Sequence, residues 1–378
     1  MSGPLLIAGG GLGGLTLAAL LNRRGRACLV LERAPRFAPV GAGIVIQPNA
    51  TRALRIGGIE EAVLSRGAAM QRMQIRDHRG RVLSSVEAGS FGAAFSAGAF
   101  GFHRATLHSA LLDLIEPSSI RLDAAVRSCD ETAAGVFVEL ESGERVEGSA
   151  LVGADGLRSA VRRLIVKDGE PVYAGYTSWR GVTDRGSLWP AGQMSESWGQ
   201  GARFGLVAID GCRLYWFATA NAPAGGQDRG RAGLLARFGG WHEPIRAVLE
   251  STPDDAILHT DISDRDPVGR WGEGRMTLLG DAAHPMTPNL GQGGGQAIED
   301  AVVLDLCLSA TDDCAAAFRD YESRRLARTA RVVREARRFG RVGQLENRAA
   351  RALRNLAVRM TPLSAPLRTL RWLYDFDV

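Results

Sequence analysis

Lysine is almost missing from this chain. Of 46 basic residues among 378, Lys167 is the single one that is not arginine. With the many alanines, that bias reads as the imprint of a GC-rich genome. Cysteine is scarce too: Cys28, Cys129, Cys212, Cys307 and Cys314 are scattered, odd in number and without a C-x-x-C. This spacing excludes a disulfide framework and a zinc site. No apolar run approaches the roughly 20 residues that cross a bilayer. The apolar start, Pro4 to Ala8, has no basic flank and stops at glycine, so no signal peptide is read. These absences point to a reducing cytoplasm. Long basic runs with interleaved aromatics are also lacking, which argues against nucleic acid. The net charge of +5 is local: residues 319–378 hold 15 Arg against 6 Asp and Glu, or +9, leaving −4 elsewhere. That tail fits either an anionic partner or helices with solvated arginine faces, the plainer reading. It leaves open packing on the domain or a homodimer face.

What is present is a globular composition, 45% hydrophobic and 23% charged, with no repeat. The opening reads strand (Leu5–Ala8), glycine turn, helix (Leu15–Arg23), strand (Cys28–Leu31), a βαβ start. Further on, "GVFVELESGERVEGSALVGADG" reads as a hairpin turning at Ser142-Gly143, then a strand ending at Asp155-Gly156. Between about 170 and 265 the pattern becomes β-rich and aromatic, with a turn at Asp210-Gly211. "RMTLLGD" returns to a buried strand, 293–357 is helical, and "TPLSAP" breaks it. The expected fold is α/β. A Rossmann-like nucleotide-binding domain (1–169 and 266–345) carries an inserted antiparallel sheet domain (170–265), followed by a C-terminal helical segment (346–378).

Gly9, Gly11 and Gly14 spell G-x-G-x-x-G between the first strand and helix, and Glu32 ends the next strand. The glycines allow a tight turn and close approach to a pyrophosphate. The helix amino end supplies amide donors, and the acid accepts from a ribose hydroxyl. An adenine dinucleotide is expected; the motif does not separate NAD from FAD. No second such fingerprint and no redox cysteine pair exist, so a nicotinamide partner of a resident FAD would bind transiently.

A second glycine cluster stands in "LLGDAAHPMTPNLGQGGGQAIEDA". Asp281 can accept from sugar-like hydroxyls such as a ribityl chain. Gly291, Gly293, Gly294 and Gly295 let backbone N–H groups face a ligand, and the following helix points its positive end there. Reduced flavin carries negative charge on its pyrimidine edge, which such an end would stabilise. A plain strand–loop–helix connection would spend much backbone entropy on four glycines in five positions.

With these residues in hand, the chain resembles the FAD-dependent aromatic hydroxylases, the single-component class A flavin monooxygenases. Three motifs match in order: "GGGLGG" with Glu32, "GADGLRSAVRR" from Gly153 to Arg163, and the Asp281–Gly295 stretch. "PVGAGIVIQPNA" and "HRATLHSALL" also look like the family's flavin loop and arginine-bearing helix. The resemblance implies non-covalent FAD. It implies contacts from Gly9, Gly11, Gly13, Gly14, Glu32, Arg33, Val45, Arg104, Val126, Asp281 and Gly291 to Gly295, Gln292 included. It implies that the motif around Asp155 serves both FAD and NAD(P)H, although an Asp-Gly turn before a basic helix would look the same. His103 and His284 sit beside flavin motifs and are taken as structural or gating.

The chemistry implied is hydride transfer from NADH or NADPH to FAD, reaction with dioxygen to a C4a-hydroperoxide, and transfer of one oxygen to an electron-rich aromatic or heteroaromatic carbon. Arg203 in "GARFG" and Tyr215 in "RLYWF" fall on neighbouring strands of one hairpin. They match the arginine and tyrosine of the bacterial FAD-dependent urate hydroxylases. A surface arginine and a core tyrosine would look the same in sequence. "YTSWRGV" and "YWFATANAP" look more like the zeaxanthin-epoxidase-like and quinolone-hydroxylase branch. A flavin reductase without oxygen transfer and a non-catalytic FAD-binding protein stay as alternatives.

Overall fold

The computed structural model describes residues 3–38, 41–132, 135–226, 230–361 and 368–377. The core of the nucleotide domain is a five-stranded parallel sheet in the order 276–278, 150–153, 5–8, 28–31, 120–121. Its strands Leu5–Ala8 and Ala150–Gly153 are buried on both faces, which explains their unbroken apolar sequence. Helix Leu12–Arg23 and helix Gly293–Ala310 pack together above it. The glycine turn begins that first helix at Leu12, one turn earlier than the apolar periodicity alone predicts. The hairpin is found as read, with strands Val136–Leu140 and Arg145–Gly148 around Ser142-Gly143.

The second sheet has seven strands in the order 258–264, 172–184, 213–221, 202–209, 193–198, 72–77, 82–87. Two of its strands thus come from residues 72–87, far upstream of the β-rich segment. Pairing is antiparallel except where Arg72–Asp77 runs parallel to Gln193–Trp198. One face carries Phe204, Leu206, Leu214, Trp216 and Ala218 under helices Gly230–Phe238 and Ile245–Ser251, a dry core of its own. The other face looks toward the nucleotide domain. Beyond it run a 30-residue helix, Cys314–Gly343, and helix Arg348–Met360. All but the first residue of the breaker "TPLSAP" lies outside the described residues.

Candidate active site

The amino end of the first helix is shaped by exclusion. Gly9 sits at φ +103°, and a Cβ there would stand 2.5 Å from the Ala154 carbonyl oxygen. On Gly14 it would stand 2.1 Å from the Gly9 oxygen, and on Gly13 2.3 Å from Leu279. At Gly11 it would meet nothing within 4 Å. Three glycines therefore close the turn and the fourth faces open space. The first intrahelical bond is Leu15 N–H to the Gly11 carbonyl, 2.9 Å, so the amides of Leu12 to Gly14 point outward without a helical acceptor. Glu32 lies just past its strand and accepts from the Gly10 and Ala34 amides at 2.7 and 2.9 Å. His108 Nε2 is 2.8 Å from the Gly10 oxygen, and burial holds its imidazole below the usual range. Arg33 is exposed beside Glu32, and Val126 is half-buried against the main core.

The strand before the second glycine cluster ends at Leu278, and Asp281 stands in a 3₁₀ turn, Gly280–Ala282, rather than on the strand itself. Gly280 and Gly291 both take φ +62°, where a side chain would be strained. Helix Gly293–Ala310 then starts with three glycines whose amides have no helical acceptor; Gln296 makes the first such bond, 2.8 Å to Gln292. The Asp281 carboxylate lies 3.6 Å from where a Gly293 Cβ would be. It is open to solvent yet ringed by protein. Desolvation pushes its carboxyl up, against the pull of His284 and Arg104. Exposed Arg104 lies against Gly41, with Cδ 3.1 Å from a Cβ there.

Beneath this loop runs a buried polar network. Gln47 donates to the Leu290 and Gly291 carbonyls at 2.9 and 3.2 Å. The Gln292 side chain turns inward, donating to Gln47 and Asn49 and accepting from Asn49 and Gln296. Asn49 and Gln296 also donate to Glu299 at 2.6 and 3.0 Å. Buried Arg325 reaches Glu299 at 2.5 Å and Asp300 at 2.7 Å, and Arg328 reaches Glu299 at 2.7 Å. Asp300 also accepts from Gly280 N–H and holds His284 Nε2 at 2.5 Å. Burial alone would raise the Asp300 carboxyl; His284 and Arg325 outweigh it and push it down to about 2. His284 is thereby pinned. His103 caps helix Arg104–Leu112, its Nδ1 accepting from Ala105 N–H at 3.2 Å.

Asp155 has a structural role. It accepts from the Ser159 hydroxyl and from the Ala160 and Val161 amides at 2.7 and 3.3 Å, heading the short helix Ala160–Ile165. From that helix Arg162, fully buried, donates to the Ala282 and Ala283 carbonyls at 2.8 and 2.6 Å. The second motif thus braces the third.

Arg203 and Tyr215 share the inward face of the seven-stranded sheet. Val207 lies opposite Tyr215 and Thr219 opposite Arg203. The two are four residues apart along the ladder, roughly 13 Å. Arg203 is 2% exposed and fully engaged. It donates to Gln344 and Glu196 at 3.0 Å each and to Asn289, tying the sheet to the flavin-side loop and the long helix. The Tyr215 ring lies on Gly43, where a Cβ would come within 2.3 Å of it. Burial raises its phenol, and nearby Arg180 opposes that shift. Arg180 lies across from Phe217 on the same face, half-buried, and has no hydrogen-bond or ion-pair partner among the described residues. Val45, Val182, Met194, Val207 and Phe217 surround Tyr215 with apolar surface. The Asp210-Gly211 turn of this hairpin is docked on the Arg104 helix: Asp210 accepts from His103 N–H at 3.1 Å and Thr106 Oγ1 at 3.2 Å.

Sequence reasoning passed over Arg162, Arg180, Gln47, Asn49, Glu299, Asp300 and Arg325. All but Arg325 stand inside stretches quoted above. Among the described residues no cluster of His, Cys, Asp and Glu could hold a metal. Two amino ends with open amides, an acid at each and an arginine between them suit a dinucleotide with a flavin ring.

Residues 3–172 and 257–336 match the family model described as FAD binding domain. The chain belongs to that family. A protein of Stigmatella aurantiaca named aurachin C monooxygenase/isomerase is 48% identical over 86% of this chain and 85% of its own. The FAD-dependent urate hydroxylase of Klebsiella pneumoniae is 34% identical over 85% and 86%. A 3-amino-4-hydroxybenzoate 2-monooxygenase of Streptomyces platensis is 36% identical over 99% and 96%. The crystal structure of Klebsiella pneumoniae HpxO with FAD and uric acid superposes with a TM-score of 0.92 at 29% identity, covering 98% and 96%. The protein is an FAD-dependent, NAD(P)H-consuming monooxygenase of the aromatic-ring hydroxylase type. FAD, when bound, would supply the redox chemistry of a monooxygenase. The chain's own part is to hold it by amide donors, to keep water from the apolar sheet face and to fix the ring to be oxidised.

Proposed function

We propose that the substrate is an apolar heteroaromatic of the quinolone type, ionisable at a ring oxygen, and that dioxygen is the second co-substrate. The reading gives FAD to Gly9–Gly14, Glu32, Arg33, Val45, Arg104, Val126, Asp155, Asp281 and Gly291–Gly295. It lays the substrate against the sheet face of Arg203 and Tyr215. Tyr215 orients the ring, and Arg203 fixes the loop at Asn289 that borders it. Arg180 takes the ring oxyanion. The observation that carries this is the charge balance of that face. Glu196 already matches Arg203, whereas Arg180, across from Phe217 and acting on Tyr215, is among the described residues an unmatched cation next to the apolar surface around Tyr215. A single cation in such walls suits one delocalised anion better than a polar purine. The lower identity to the urate hydroxylase, 34% against 48% to the aurachin C enzyme, also speaks against a purine. We also assign the enzyme to the cytoplasm, on its five free thiols and its nicotinamide co-substrate.

The test is NADH and NADPH oxidation by FAD-loaded protein with alkyl-quinolones, urate, salicylate or 3-hydroxybenzoate, in labelled oxygen. Stimulation by quinolones with one labelled oxygen in the product is expected. Arg180→Gln should raise KM about tenfold or more while kcat changes little, the loss of one hydrogen bond to a charge. Stimulation by urate alone would remove the substrate assignment. Peroxide with no labelled product from any compound would favour the flavin reductase reading.

A further inference from the structure

Helix Arg348–Met360 is turned inside out. In 13 residues it has four arginines, Arg348, Arg351, Arg354 and Arg359, and no acid. The residue it buries is Arg354, which donates to the Val342 and Gly343 carbonyls at 3.1 and 3.0 Å and lies over the Trp198 ring at 4.9 Å. Its large apolar side chains face out instead: Leu353 is 69% exposed, Leu356 52% and Met360 73%. Spacings of three, four and seven put these three on one stripe, with exposed Ala349 in line. The helix lies on the edge strand Val82–Glu87 of the seven-stranded sheet. Val82 on that strand and Val342 at the end of the long helix are also exposed. Five of the eight large hydrophobics exposed among the described residues therefore belong to these three neighbouring elements. Scattered single exposures are ordinary; a clustered patch marks a contact surface.

The rim decides what covers it. At about 100° per residue, Arg348 and Arg359 fall within about 20° of each other, some 60–80° round from Leu356. A second copy laid antiparallel on the stripe would set Arg348 against Arg359 of the other, with no acid in the helix to relieve either. An anionic bilayer has the complementary pattern, acyl chains for the stripe and phosphates for the arginines.

We propose that helix Arg348–Met360 is an interfacial helix that seats this monooxygenase on an anionic lipid surface, with Leu353, Leu356 and Met360 in the headgroup–acyl boundary. No span is involved, since no described helix is long and apolar enough to cross. The proposal is independent of the substrate assignment.

The experiment is co-sedimentation of the FAD-loaded protein with vesicles of phosphatidylcholine alone or mixed with phosphatidylglycerol. Binding to the mixed vesicles, weakened by salt, is expected. The triple variant Leu353→Ser, Leu356→Ser, Met360→Ser should lose on the order of 100-fold in partition coefficient. Its flavin spectrum and NAD(P)H oxidation should be unchanged, since these residues touch neither site. Arg348→Gln with Arg359→Gln should remove the preference for anionic lipid. No binding to any vesicle would overturn the proposal, as would equal binding of wild type and triple variant. A dimer seen by sedimentation velocity, and dissociated by the triple substitution, would overturn it in favour of a second copy.

Discussion

At Gly9–Gly14 the backbone is held by what a methyl group would strike. At Gly291–Gly295 it is held by hydrogen bonds from Gln47 to backbone carbonyls and by the Gln292 side chain anchored on Asn49, backed by Glu299, Asp300 and Arg325. Both turns end in a helix whose first amides face outward. The first is steric; its contacts come from its own Gly9 carbonyl and from the ends of neighbouring strands, at Ala154 and Leu279. The second is polar and distant, with a buried ion cluster beneath it. Packing makes a turn rigid with no polar cost, which suits a site for a pyrophosphate. A buried network costs desolvation and is secure only when every member is satisfied. It also fixes His284 and Asp300, whose charges act on Asp281, an acid proposed to hold FAD.

The sharpest way to break this comparison is at Arg325. Arg325→Ala leaves Glu299 and Asp300 buried without their shared cation and should cost about 3–5 kcal/mol in denaturant unfolding. A loss below about 1 kcal/mol would show that the second turn is not held by the network. Next comes Gly14→Ala, which drives a Cβ into the Gly9 carbonyl. It should cost about 1–3 kcal/mol and weaken FAD, followed by flavin fluorescence. Acid is the third probe. With Asp300 at about 2 when folded and about 3.9 when unfolded, the stability it contributes is present above pH 4. That contribution, about 2 kcal/mol, is lost as pH falls from 4 to 2. In Asp300→Asn this part of the pH dependence should vanish from thermal melts. The smallest effect is at Gly11, whose Cβ would meet nothing. Gly11→Ala should leave apoprotein stability within about 0.5 kcal/mol while still raising the Kd for FAD. Equal damage at Gly11 and Gly14 would erase the distinction between them.

The first turn was readable because its signature is local: strand, glycines, helix and acid follow within Leu5–Glu32, although the walls at Ala154 and Leu279 that hold it do not. The second was readable as a glycine cluster but not as a network. Gln47 contacts Leu290 across 243 residues, and buried polar residues look like surface residues in a single sequence. The placement of Arg203 and Tyr215 on one face followed from the hairpin around Asp210-Gly211. That Arg203 would be tied to Glu196, Asn289 and Gln344 did not follow, because those partners lie on three other segments. Strand 72–77 escaped for the same reason: it joins the sheet beside 193–198, more than 100 residues downstream, and edge strand 82–87 pairs with 72–77. Arg180 stood in a quoted motif, yet only the absence of a partner in space distinguishes it from any strand arginine.

Gly43 bears on redesign. The Tyr215 ring rests on its backbone with no room for a methyl group, so the gap between sheet and flavin-side strand has a fixed height there. A pocket for a wider ring cannot be gained by moving that ceiling. It has to grow sideways along the sheet, by shortening Met194 or Phe217, whose half-buried side chains have space to give. Regioselectivity should then drift before turnover does, because the ring slides in its plane while its distance from the flavin side stays set.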